Sequence, residues 1–121
     1  MNQTPAYYLI IDFEATCCDR GSIPRKETEI IEIGAVMVDA ASLQVVDEFS
    51  TFVRPVQHPR MTPFCTELTS IRQDQIDAGL PFVEAIGQLR QWAEQYPDAV
   101  FCSWGDYDRN QLLRECQTHG V

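Results

Sequence analysis

Residues Tyr7-Tyr8-Leu9-Ile10-Ile11 form an unbroken apolar run, and Asp12 and Glu14 follow it at alternate positions. No other stretch constrains the fold as much. A short apolar run of this kind reads as a strand buried on both faces, as in a central strand of a helix-covered sheet. Alternate residues of a strand point to the same face, so Asp12 and Glu14 project side by side where the strand leaves the core. Two carboxylates that close repel each other. A divalent cation gives the pair a reason. Hard ions such as Mg2+ and Mn2+ take carboxylate oxygens, and two carboxylates share or bridge them. The alternative is a solvated strand end with two incidental acids.

The remaining pattern is that of an α/β domain. Glu29 to Val38 is β-branched and apolar apart from Glu32 and Gly34, and reads as a second strand. Val45 to Val53 mixes apolar and polar residues as a half-exposed third strand does, and Pro55 stops it. Short connections make these three strands an antiparallel meander. Cys17 to Glu27 reads as a loop, and Pro55 to Pro63 as an irregular excursion. Short helical turns are expected within Phe64 to Ala78. Pro81 opens a helix whose apolar stripe runs from Phe82 through Ala85, Ile86, Leu89, Trp92 and Ala93 to Tyr96, and Pro97 ends it. Ala99 to Cys102 is a short strand. Asp106 to His119 is a last helix, with Leu112, Leu113 and Cys116 expected inward. A meander followed by helix-linked strands means a mixed sheet flanked by helices.

Composition narrows the function classes. The chain of 121 residues allows one domain with its own core. Eighteen acids face nine bases, for a net charge of −9. That balance serves solubility first, and disfavours a protein that grips a long duplex through a basic face. An enzyme that holds a short nucleic-acid end through metal ions is compatible with it. No apolar run is long enough to span a membrane, and MNQTPAYY lacks the pattern of a signal peptide. The five cysteines, at 17, 18, 65, 102 and 116, are odd in number and form no C-x-x-C. A reduced cytoplasmic protein is therefore expected, without a disulfide framework or zinc finger.

Asp108 extends the acidic pair. It lies in the first turn of the last helix, where the helix dipole favours an ionised acid. Asp106 is better placed as that helix's N-cap. If the strand Ala99 to Cys102 lies beside the first strand, three carboxylates from two segments converge.

At this point the sequence resembles a family. Asp12-Phe13-Glu14-Ala15-Thr16-Cys17 resembles the first motif of the DEDD-type (DnaQ-like) 3'-to-5' exonucleases, most closely the Eri1-type and KapD-like branch. Glu29 to Val36 is similar to that family's second strand, and Phe52-Val53-Arg54-Pro55 to the end of its third. Phe64 to Ile71 resembles its F-C-x-x-L-T-G-I element, with Ser70 in place of glycine. Ser103-Trp104-Gly105-Asp106-Tyr107-Asp108 resembles its second motif, with Asp108 on the metal-binding aspartate.

The resemblance implies a ribonuclease-H-like fold and a DEDDh-type site. It implies release of nucleoside 5'-monophosphates from a single-stranded 3' end of RNA or DNA, with two divalent cations, Mg2+ or Mn2+, at the site. Asp12, Glu14 and Asp108 are the expected catalytic metal ligands. Phe13, Ala15 and Thr16 are expected to face the terminal nucleotide, Leu68 and Ile71 to pack on its base, and Trp104 to stack on it. For the last three, simple core packing is the alternative. The family's third motif, His-x-x-x-x-Asp, has no counterpart in residues 1–121, since neither His58 nor His119 precedes an aspartate at that spacing. Residues 1–121 are thus expected to be an exonuclease domain truncated before that motif and lacking its last strand-helix unit. Two consequences are expected: low activity of this segment alone, and a capacity to self-associate through an unpaired sheet edge. The alternatives are a nucleic-acid-end binding module without catalysis and an unrelated acidic α/β domain.

Overall fold

A computed structural model of the chain describes residues 4–103 and 107–121. Strands β1 (Tyr7–Ala15), β2 (Ile30–Asp39) and β3 (Val45–Phe52) form the expected antiparallel meander. Helices α1 (Pro63–Thr69), α2 (Gln73–Asp77) and α3 (Phe82–Ala93) then lead to β4 (Ala99–Cys102), and α4 (Tyr107–His119) follows. β4 pairs parallel to β1, giving the sheet order β3-β2-β1-β4. The sheet is mixed and β1 is central, as expected. No helix among the described residues is long and apolar enough to cross a membrane.

The main core lies between the sheet and two helices. Ile11 and Phe13 of β1 and Ile33 and Ala35 of β2 are buried against Phe82, Ala85, Ile86 and Leu89 of α3. Leu112 and Cys116 of α4 pack on the same cluster. A second, smaller cluster joins Ile31 to Cys65, Ile71 and Ile76 of the α1–α2 region. Each buried aliphatic side chain contributes roughly 1.5–3 kcal/mol.

Three expectations need correction. β1 is not buried on both faces: Ile11 is 4% exposed but Ile10 is 43% exposed. Both α3 and α4 pack on the side that carries Ile11 and Phe13, so the alternate residues remain open. α3 ends at Ala93, short of Tyr96. Tyr96 instead packs edge-to-face on Tyr7, with centroids 5.0 Å apart, and its hydroxyl donates to Asp47 at 2.7 Å. Leu113 points outward and is 51% exposed. The inward stripe of α4 is Asp108, Gln111, Leu112, Glu115 and Cys116, the spacing of one helical face.

Two polar devices order the connections. Glu29, 5% exposed, accepts the backbone N–H groups of Val56, Gln57 and His58 at 2.8–3.0 Å and so holds the proline-rich excursion. His58 Nε2 also lies 2.9 Å from Glu27. Thr62 caps α1 by accepting from Cys65 N–H, and Ser70 ends that helix at φ 64°. This left-handed conformation disfavours side chains, which explains why glycine suits the position.

Replacing exposed Ser70 by glycine removes the left-handed strain at some cost in chain entropy. S70G is expected to gain about 0.5 kcal/mol, read from denaturant midpoints. A loss of stability would mean that the serine hydroxyl contributes more than the strain costs.

Glu115 generates a second prediction. It is 4% exposed, and burial pushes its carboxyl up from 4.5 to about 7. The fold therefore holds a proton there that the unfolded chain releases near pH 4.5. The contribution is fully present below about pH 4.5 and is lost as pH rises through about 7. The loss is roughly 3 kcal/mol. E115Q is expected to flatten this part of the stability–pH curve, and equal slopes in the two proteins would refute it.

Candidate active site

The site begins with strand alternation. Because Ile11 and Phe13 enter the core, Asp12 and Glu14 occupy the opposite side of β1. Asp12 is exposed and Glu14 is half-buried. The antiparallel register sets Asp12 opposite Gly34 and Glu14 opposite Glu32. Directly opposed side chains share a face, so Glu14 and Glu32 are a like-charged cross-strand pair, which is destabilising.

Asp108 arrives from α4. It is 5% exposed, and its carboxylate accepts the backbone N–H of Phe13. That bond ties the first turn of the helix to β1 between the two strand acids. The electrostatics show the convergence. Burial is the largest cause raising the Glu14 carboxyl above its usual range, followed by the charges of Asp12, Glu32 and Asp108. Asp108 is raised by burial and then by Asp12, while the Phe13 N–H lowers it. Four carboxylates thus crowd one strand end without a neutralising base among them.

Crowded carboxylates are a hard-oxygen donor set suited to Mg2+ or Mn2+. Among the described residues no group of three or more acid, histidine or cysteine side chains closes around a single point. The fit therefore rests on donor chemistry and unbalanced charge. Both histidines are engaged elsewhere: His58 with Glu27, and His119 stacked on Phe82 at 4.7 Å.

Comparison with known proteins identifies the lineage. The RNase_T family model, described as an exonuclease, matches residues 9–119. The chain belongs to this exonuclease family. It is 39% identical to mouse ERI1 exoribonuclease 2, covering 97% of this chain and 20% of the relative. It is 32% identical to the 3'-5' exonuclease Snipper of Drosophila melanogaster, covering 98% and 49% respectively. These and similar curated relatives are two to five times longer than the matched segment. Among solved structures, the nuclease domain of 3'hExo, a DEDDh family member bound to rAMP, superposes with a TM-score of 0.89 at 30% identity. The match covers 100% of this chain and 63% of that one. A 3'-exonuclease structure describing recognition of the histone mRNA stem-loop gives 0.86 at 30% identity, covering 95% and 42%. The sheet and its flanking helices are thus the ribonuclease-H-like fold of these exonucleases.

The other expected site residues occupy different environments. Phe13 and Ala15 have buried side chains, 4% and 8% exposed, so only their backbone is available to a ligand. Thr16 is 3% exposed, and its hydroxyl accepts from the Glu29 N–H at 2.9 Å. Its own N–H donates to the Glu29 carbonyl at 2.8 Å. Leu68 is 66% exposed at the surface of α1, which excludes core packing for it. Ile71 is 3% exposed and sits in the second core cluster. Trp104 and the cap residue Asp106 lie outside the described residues. Glu32 is the member of the cluster that sequence reasoning missed. Its signal was a single acid inside an otherwise apolar strand.

Removing one charge should relieve the crowding. In a chelator, D12N is expected to melt roughly 2 °C above the parent, with the Glu14 and Asp108 carboxyls titrating lower. A lower melting temperature together with unmoved titrations would refute the mutual repulsion.

Proposed function

We propose that residues 1–121 carry the metal-binding half of a 3'-to-5' exonuclease site that releases nucleoside 5'-monophosphates from single-stranded RNA ends. The supporting observation is the crowding of Asp12, Glu14 and Asp108 at one strand end in a chain of this family. RNA is favoured over DNA because relatives bear the name exoribonuclease and a structural neighbour holds rAMP. Five unpaired cysteines suit a reducing compartment, which fits a cytoplasmic enzyme.

Asp12, Glu14 and Asp108 would hold two divalent cations. When bound, such ions supply an activated water and charge stabilisation on the attacked phosphate. The protein's own part is positioning. β1 presents Asp12 and Glu14 on one side, and the Phe13 N–H orients Asp108 while favouring its ionised form. Cation binding would reverse the penalty that burial and repulsion place on Glu14 and Asp108. The backbone from Phe13 to Thr16, clasped by Glu29, forms a firm edge for the terminal nucleotide. Leu68 offers an exposed apolar surface for its base. By the family resemblance the proton acceptor would be the histidine of a His-x-x-x-x-Asp element; His58 and His119 are engaged with Glu27 and Phe82 instead.

The test uses the native-length protein, a 3'-end-labelled single-stranded RNA and its DNA counterpart, with Mn2+. Stepwise release of single nucleotides is expected, faster on RNA. D12A or D108A should lower it about a thousandfold, the equivalent of about 4 kcal/mol of lost transition-state stabilisation. Undiminished release by either variant would refute the assignment. Mn2+ at a hundred times its Kd should stabilise the parent by about 2.7 kcal/mol and leave D12A unchanged.

A further inference from the structure

The inward face of α4 contains two polar side chains, Gln111 at 3% exposure and Glu115 at 4%. A carboxylate at such a place is costly, and an aliphatic side chain would satisfy the packing more simply. What these two residues supply is direction. The Glu115 Oε1 accepts the backbone N–H of Ile30 and, at 2.8 Å, the amide of Gln111. That amide also donates to the Thr28 carbonyl at 2.9 Å. The Gln111 Oε1 accepts from the Thr28 hydroxyl at 3.2 Å and from Arg114 Nη2 at 2.8 Å. Arg114 Nη2 donates to the same Thr28 carbonyl at 2.9 Å.

All these bonds converge on the start of β2. The β1–β2 ladder shifts register there, between Glu14 and Ala15, where Ala15 pairs with Ile30. Glu115 satisfies a backbone donor at that irregularity. Asp108 lies on the same helical face, seven residues earlier, and bonds to the Phe13 N–H. α4 is therefore fastened at one end to β1 and at the other to the first residue of β2.

We propose that Glu115 and Gln111 are positioning residues for Asp108: they fix the register and rotation of α4, and so the place of its carboxylate beside Asp12 and Glu14. The proposal rests on the exonuclease reading given above. Magnitudes favour it over packing alone. A slip of one residue moves Asp108 by about 1.5 Å along the helix and turns it by about 100°. Metal coordination tolerates only about 0.2 Å. Leu112 and Cys116 make non-directional contacts that do not exclude small slips, whereas three bonds to two fixed backbone groups, the Ile30 N–H and the Thr28 carbonyl, do.

The experiment compares native-length parent, E115L, E115Q and Q111M. Four quantities are measured: Mn2+ affinity by electron paramagnetic resonance titration, kcat and KM on single-stranded RNA, and the melting temperature in a chelator. E115L is expected to keep a melting temperature near the parent's. Its Mn2+ affinity and kcat should fall about tenfold or more, with KM nearly unchanged. E115Q, whose amide oxygen still accepts the Ile30 N–H, should restore affinity to within about threefold. A folded E115L with parental affinity and kcat overturns the proposal. If E115L does not fold, Q111M decides by the same criteria. A parent that binds no Mn2+ and releases no nucleotide overturns the functional reading and this inference with it. A parent that binds and cleaves, with a variant that does so equally, overturns this inference alone.

Discussion

The burial of Ile11 and Phe13 is the interaction on which the site depends. Both sit against α3 and α4 at 4% exposure, and that commitment leaves Asp12 and Glu14 only the other side of β1. The core thereby forces two like charges together. The same central strand pairs with β2, which adds Glu32 opposite Glu14, and its Phe13 N–H donates to Asp108 of α4. Repulsion at the strand end is thus sustained by apolar packing a few ångströms away. This arrangement is common in functional sites, where local strain persists because the surrounding core over-determines it.

A second set of buried acids does the opposite work. Glu29 and Glu115 are as buried as Asp108, but Glu29 accepts three backbone N–H groups and Glu115 accepts the Ile30 N–H and the Gln111 amide, whereas Asp108 accepts the Phe13 N–H alone among the described residues and also faces Asp12. Glu29 fastens the excursion after β3, and Glu115 fastens α4. Both converge on the first residues of β2, where Thr16 also pairs with Glu29. The region behind the strand end is therefore a polar scaffold, and the strand end itself is an uncompensated charge cluster. Satisfied buried polar groups confer geometry, while unsatisfied ones create a demand for a ligand. The contrast separates structural from functional acids in a chain with eighteen of them.

Much of this was legible in the sequence because it is local. The meander followed from β-branched runs with short connections, β4 from a short apolar run, and the start of α3 from the placement of Pro81. Asp12, Glu14 and Asp108 stood out through spacing and through resemblance to the exonuclease motifs. What was illegible is non-local. Which face of β1 the helices cover is decided by α3 and α4, so Ile10 read as buried. The inward face of α4 was misread at Leu113 because its true members include Gln111 and Glu115. Their partners, Thr28 and Ile30, lie more than eighty residues away. A polar residue with so distant a partner leaves no periodic signal.

Three of these acids also respond to pH in a way that links stability to function. Glu14, Asp108 and Glu115 all have raised carboxyls, so each favours the fold in its protonated form. Rising pH costs the metal-free fold stability while it ionises the very oxygens a cation needs. A bound cation would cancel the penalty at Glu14 and Asp108 because it favours their charged forms. Glu115 is different. It holds its hydrogen bonds to Ile30 and Gln111 at a distance from the acidic cluster, and its penalty would persist with metal present. The fold thus retains one costly carboxylate that no ligand relieves. That cost is understandable if its bonds to β2 are what hold Asp108 in place.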